Sequence, residues 1–221
     1  MNEKIAVAID GPAAAGKSTV AKALAKKFGY IYVDTGALYR TIALFAVKKG
    51  IDTLDEAKVS SCLKDISLEL KYEDGTQKVI LNGEDVSEAI RTPEMSMAAS
   101  NVSKIKEVRA FLLDLQRDIA RKNNVIMDGR DIATVILPDA KYKFFLTASP
   151  EVRARRRFLE FEAKGMKTDY DALLKETKER DYNDSHRDIA PLKPHEDAVI
   201  VDSSEMSFDE TVGFMSKRME K

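Results

Sequence analysis

The chain has 221 residues, 44% hydrophobic and 33% charged, with 10 Gly and 6 Pro, which favours one folded domain with insertions and excludes a disordered or collagen-like chain. Lys+Arg at 36 nearly balances Asp+Glu at 37, so the net charge of −1 lacks the basic excess of a general nucleic-acid coat. The single cysteine, Cys62, with only His186 and His195, leaves no disulfide framework and no zinc site at a familiar spacing; with no membrane span or signal peptide either, a cytoplasmic protein is expected.

Ile5 to Ile9 is a short run rich in Ile, Val and Ala, the pattern of a strand buried on both faces. After a loop with Gly11 and Gly16, Val20, Leu24 and Phe28 recur every four residues and mark one stripe of a helix from Ser18 to Phe28, stopped by Gly29. Tyr30 to Val33 reads as a second strand, Asp34-Thr35-Gly36 as a turn, and Ala37 to Lys48 as a helix. This alternation predicts parallel strands with crossover helices, and Val125–Met127, Tyr142–Leu146 and Ala198–Val201 extend the same sheet to five strands. Between them, a helix around Asp55–Leu63 leads to runs Ser67–Tyr72 and Lys78–Leu81 about an Asp74-Gly75 turn, a hairpin signal. Two helices from about Pro93 to Arg121 return the chain to the core, so residues 52–115, approximately, form an insertion. Pro150 opens a helix to about Lys164, Gly165 breaks it, and another helix covers about Asp169–Asp184.

Gly11-Pro12-Ala13-Ala14-Ala15-Gly16-Lys17-Ser18 satisfies G-x-x-x-x-G-K-[ST] and lies between a predicted strand and a predicted helix, the context that makes the pattern a phosphate loop. Backbone N–H groups at the positive end of the helix dipole meet a β-phosphate there. Lys17 brings a point charge to the β/γ oxygens, and the Ser18 hydroxyl is placed to ligate Mg²⁺. No Asn-Lys pair is present to read guanine, and Met127-Asp128 is followed by Gly129 where a motor ATPase would usually have Glu.

Arginines accumulate at the expected carboxyl ends of the strands, where open α/β sheets bind ligands. Arg40 follows strand two and Arg130 follows strand three; Arg180, Asp184 and Arg187 are spaced i, i+4, i+7, and Arg153, Arg156 and Arg157 share a helical face. Guanidinium forks suit phosphate, and pressing two anionic phosphates together in line needs such a cage with no side-chain nucleophile. The residues alone leave open which small anion is the acceptor, another nucleotide or a carboxylate metabolite included, and also a nucleotide-regulated binding module.

Taken together, Ile9–Thr19, Asp34-Thr-Gly-Ala-Leu-Tyr-Arg40, Asp128-Gly-Arg-Asp131 and Glu179-Arg-Asp-x-x-Asp-x-x-Arg187 with Ala190-Pro-Leu192 resemble the bacterial cytidylate (CMP) kinases, a branch of the nucleoside monophosphate kinases. The resemblance covers essentially the whole chain. It implies a three-layer α/β P-loop kinase fold over residues 1–221, with the hairpin insertion binding the nucleoside monophosphate and a short helical lid at approximately 153–168. It implies ATP as donor, CMP and also dCMP as acceptor, Mg²⁺ as cofactor, no nucleic-acid or membrane partner, and a monomer. By the same resemblance Gly11 to Thr19 bind ATP, with Arg156 beside them, and Lys17, Arg130, Arg187, Arg153 and Arg157 serve transfer. Thr35, Arg40, Arg130 and Arg187 hold the acceptor phosphate, Arg180 and Asp184 reach the ribose, and Ser100, Arg109 and Asp131 meet the cytosine.

Overall fold

The computed structural model describes residues 4–73 and 76–220. In chain order the strands are β1 (Ala6–Asp10), β2 (Ile31–Asp34), β3 (Leu68–Glu73), β4 (Thr76–Leu81), β5 (Glu84–Asp85), β6 (Val125–Gly129), β7 (Tyr142–Thr147) and β8 (Val199–Asp202). The helices are α1 (Lys17–Phe28), α2 (Thr35–Lys48), α3 (Glu56–Cys62), α4 (Pro93–Val102), α5 (Lys106–Lys122), α6 (Pro150–Ala163), α7 (Tyr170–His186) and α8 (Phe208–Met219). The main sheet has five parallel strands in the order β2-β6-β1-β7-β8, as the sequence rhythm predicts. The chain divides into two compact units, one of Ile31–Val125 with Lys4, the other of Ile5–Tyr30 with the chain from Ile126 onward.

In the second unit β1 pairs with β7 and β7 with β8, in register Ile9↔Phe144 and Leu146↔Val201 respectively. Val7, Ala8 and Ile9 are wholly buried because strands lie on both sides of β1 and helices cover its faces. Phe144, Leu146, Leu24 and Met215 complete this core; each such side chain contributes about 1.5–3 kcal/mol on burial. Helix α8 is an element the strand-and-helix rhythm does not predict. Ser207 and Glu210 start it with a capping box, each side chain taking a backbone N–H of the other.

In the first unit α2 is buried nearly all round and forms the centre of a core with Leu38, Ile42, Phe45, Val59, Val102 and Leu112. It starts two residues before the predicted Ala37, since the Asp34 side chain caps it by accepting the Ala37 N–H at 2.9 Å. Strands β3 and β4 form the expected antiparallel hairpin, with β5 added beyond β4; its predicted Asp74-Gly75 turn lies outside the described residues. Cys62 is buried on α3, as a small apolar residue would be. Among the described residues no helix is long and apolar enough to cross a membrane.

Candidate active site

β1 ends at Asp10, and the chain turns through the phosphate loop into α1. Gly11 sits at φ +148°, and a Cβ there would lie 1.9 Å from the Leu146 carbonyl oxygen on β7, so a side chain is sterically forbidden. Ala14 and Gly16 also take positive φ, 58° and 87°, which curls successive N–H groups toward one centre. No side chain caps the first turn of α1, leaving its N–H groups and dipole to an anion.

Lys17 is only 6% exposed. Its Nζ donates to the Pro12 carbonyl at 2.6 Å within the loop. Burial first, then the Arg130 charge, hold its pKa well below the ordinary lysine value, against the pull of Asp128, Asp10 and Asp184. A phosphate in the loop would add negative charge beside this ammonium and favour its charged form. Ser18 Oγ donates to Asp128 Oδ2 at 2.9 Å, setting one hydroxyl and one carboxylate side by side. Among the described residues there is no cluster of three or more His, Cys, Asp or Glu able to cage a metal. The Ser18 hydroxyl and the Asp128 carboxylate are oxygen donors of the kind a hard divalent cation takes.

The same unit gathers Arg130, Arg180 and Arg187 with two carboxylates. Arg130 Nε donates to Asp184 Oδ2 at 2.8 Å and its Nη1 to the Gly129 carbonyl at 3.3 Å. Arg187 Nη2 lies 3.9 Å from Asp131 Oδ1, both side chains buried. Arg187 stands just past the end of α7 in extended backbone; the helix runs two residues beyond the predicted Asp184 but does not continue far enough to carry Arg187 on one stripe with Arg180. The chain reverses there: Arg187 Nε holds the Ala190 carbonyl at 2.7 Å and Leu192 N bonds the Asp184 carbonyl at 2.7 Å. Burial, then Arg130, bring the Arg180 guanidinium down to about 10, and its buried Nε has no hydrogen-bond partner among the described residues. Burial alone would push the Asp184 carboxyl up, but Arg130, Arg180 and Arg187 outweigh it and hold it below its ordinary value. Cations outnumber carboxylates in this cluster, which is the electrostatic condition for taking up an anion.

Three of the four arginines of α6, Arg153, Arg156 and Arg157, are engaged with the protein itself. Arg153, 2% exposed, donates Nε to the Ala148 carbonyl at 2.8 Å and Nη1 to the phosphate-loop carbonyl of Ala13 at 3.1 Å. It also forks onto both Asp181 oxygens on α7. Arg156 bonds the Ser203 carbonyl and hydroxyl at 2.8 and 3.2 Å, and Arg157 bonds Glu176 Oε1 at 2.9 Å.

In the first unit Arg40 Nη2 donates to Asp34 Oδ2 at 2.8 Å, so one carboxylate both caps α2 and aims Arg40. Gln77 of β4 fixes the backbone of Asp34 by accepting its N–H at 2.9 Å. The buried Arg40 Nε makes no hydrogen bond among the described residues. Thr35 is buried at the start of α2. The Arg109 guanidinium lies 5.8 Å from the Tyr39 ring centroid, and its Nη1 donates to the Ser103 carbonyl at 3.3 Å. Ser100, on α4, is half-buried and accepts the Ser103 hydroxyl on its carbonyl at 2.9 Å.

The structure thus brings Lys17, Ser18, Arg130, Asp131, Arg180, Asp184 and Arg187 into one unit, and Thr35, Arg40, Ser100 and Arg109 into the other. Sequence reasoning misses Asp10, Asp34, Gln77 and Asp128 as site residues. Asp10 ends β1 and Asp128 is the last residue but one of β6, each a buried carboxylate closing an apolar run, and that pattern is available in the sequence. Gln77 acts through a contact between elements and leaves no local signal, whereas Asp34 carries one as the helix cap three residues before Ala37.

The sequence pattern of the Cytidylate kinase family matches residues 7–221. A cytidylate kinase of Caldicellulosiruptor saccharolyticus is 52% identical over 210 residues, 95% of this chain and 93% of the relative. One from Lactobacillus gasseri is 49% identical over 221 residues, 100% of this chain and 96% of the relative. Among solved structures, an uncharacterized protein of Eubacterium ventriosum aligns over 99% of both chains with a TM-score of 0.57 at 14% identity. A shikimate kinase of Bacteroides thetaiotaomicron aligns over 98% of this chain and 99% of its own, with a TM-score of 0.50 at 14% identity, a likeness of fold alone.

Proposed function

The chain belongs to the cytidylate kinase family, and on that premise we propose that it transfers the γ-phosphoryl group of ATP to CMP, and to dCMP, giving ADP and CDP or dCDP. The observation that carries the reading is the cation-rich cluster of Arg130, Arg180 and Arg187, electrostatically linked to the phosphate-loop lysine Lys17. Two polyanions repel, and only a shared positive lining holds them in line at bonding distance. The acceptor oxygen of CMP is already ionised, so no strong general base is required, and none of the cluster residues is one.

Gly11 to Thr19 cradle the donor phosphates, and Lys17 leaves the Pro12 carbonyl for the β/γ oxygens as they arrive. Ser18 and Asp128 would hold Mg²⁺; when bound, it neutralises charge developing between the β- and γ-phosphates. On the acceptor side Thr35, Arg40, Arg130 and Arg187 hold the CMP phosphate, Arg180 and Asp184 the ribose, and Ser100, Arg109 and Asp131 the base. Cytosine pairs a 4-amino donor with an N3 acceptor, so a carboxylate and a guanidinium match it, whereas uracil reverses both groups. A mispaired buried group costs about 1–3 kcal/mol, and sites of this kind reject the wrong partner by ~10⁴-fold or more.

Residues 52–115, approximately, are the acceptor-binding insertion in this reading, and approximately 153–168 the lid, with Arg153, Arg156 and Arg157 at its root. Closure excludes water, which would otherwise accept the phosphoryl group. The reading includes a cytoplasmic monomer with no nucleic-acid or membrane partner; the near-balanced charge supports only the absence of a nucleic-acid partner. A coupled ADP-release assay across common nucleoside monophosphates tests the assignment. CMP is expected to turn over fastest, and faster turnover of UMP or AMP would refute it.

A further inference from the structure

One buried carboxylate has no part in that chemistry. Asp10, at the end of β1 and directly before Gly11, is 2% exposed. Its Oδ1 accepts the backbone N–H of Ile132 and its Oδ2 that of Ala133, each at 2.8 Å and more than 120 residues away in sequence. Those two N–H groups open the π-helical turn Ile132–Ile136, which follows the Arg130-Asp131 pair immediately.

A helical turn usually draws its cap from the residue just before it, and aspartate is among the preferred caps. That residue here is Asp131, which makes no side-chain capping bond; its Oδ1 faces Arg187 instead. A carboxylate from another strand has taken the local one's place. We propose that Asp10 is a positioning residue for acceptor recognition: by capping the Ile132–Ile136 turn from β1, it leaves the Asp131 carboxylate to Arg187 and the acceptor nucleotide. This deepens the CMP reading above and rests on it.

Fold stability alone gives little reason for a charge at this site. Burial pushes the Asp10 carboxyl up to about 6, the two N–H bonds and Lys17 pull it down, and Asp131 adds repulsion. Replacing a buried charge by an apolar group is often neutral or stabilising where only packing is at stake. A carboxylate, however, offers two acceptor oxygens to two donors. Asparagine at position 10 offers one and turns an NH₂ toward the other N–H, which invites Asp131 to swing back and cap its own turn.

Asp10→Asn is therefore expected to raise KM for CMP about ten-fold or more, the loss expected of a charge-assisted contact, while KM for ATP stays within about two-fold. Asp131→Asn should do the same, and the double variant should be no worse than the weaker single one, since both act through one carboxylate. Effects that multiply, an unchanged KM for CMP, or equal losses for ATP and CMP would overturn the proposal. A readout independent of activity, and usable if the position-10 variant does not fold, is amide hydrogen exchange in Asp131→Asn. Protection of the Ile132 and Ala133 amides should persist there, because Asp10 caps them, and its loss would also overturn the proposal. A wild-type chain inactive on CMP would instead refute the substrate reading and leave the exchange result to judge the cap.

Discussion

Asp184→Asn probes the balance of charge in the arginine cluster. The Asp184 carboxylate lies 2.8 Å from Arg130 Nε, the side chains being 8% and 20% exposed, and it is the negative charge that Arg180 and Lys17 both feel. Removing one partner of a buried pair costs about 3–5 kcal/mol. The amide keeps the volume and one acceptor, and water reaching Arg130 screens part of the charge, so ~2–3 kcal/mol is expected here. At roughly 2–4 °C per kcal/mol for a chain of this length, the melting temperature should fall by about 4–12 °C. The Asp184 pKa is held below its ordinary value of 3.8, so its contribution is full above that pH and is lost as pH falls through the folded value. The gap between wild type and variant should therefore close in acid. The variant also leaves the guanidinium groups short of one counter-charge, so inorganic phosphate should raise its melting temperature more than that of the wild type. Thermal unfolding followed by circular dichroism, with and without phosphate, measures both effects. A melting temperature within about 2 °C of wild type, with equal phosphate shifts, would refute the reasoning that this pair balances an anion site.

The phosphate loop and the base site allow sharper tests. Gly11→Ala sets a Cβ 1.9 Å from a backbone oxygen that cannot rotate away, so we expect destabilisation of at least about 2 kcal/mol and loss of ATP binding in calorimetry. Lys17→Ala should cut turnover by roughly 10³-fold with thermal unfolding nearly unchanged, because burial and Arg130 already disfavour the ammonium. Retained activity would contradict its role. Arg109→Ala removes the guanidinium beside Tyr39 and should raise KM for CMP about ten-fold with little change in KM for ATP, measured in the coupled assay.

What is legible in the sequence is what local chemistry writes there. The phosphate loop follows from glycines at fixed spacing before a lysine, and the structure shows the reason at Gly11, where no Cβ fits. The five strands are apolar runs long enough to be read singly, and the β3–β4 hairpin shows its alternation. Helix α8 is equally legible through Ser207 and Glu210, a capping signal that periodicity alone passes over. Arg187 illustrates the opposite case. Its spacing from Arg180 puts it on the same stripe only if the helix continues that far, but the chain leaves α7 one residue earlier and is turned back by the Leu192–Asp184 backbone bond. Asp10 and Gln77 matter through partners that are distant in sequence. No window of neighbouring residues carries that information, so these roles become visible only with the fold.

The most direct test of the account follows the transferred group itself. With ATP labelled at the γ-phosphate, Mg²⁺ and CMP, the label should appear in the β-phosphate of CDP in step with ADP formation. Label released as inorganic phosphate, with CMP left unmodified, would contradict the claim that this chain joins two nucleotides through one cationic cage.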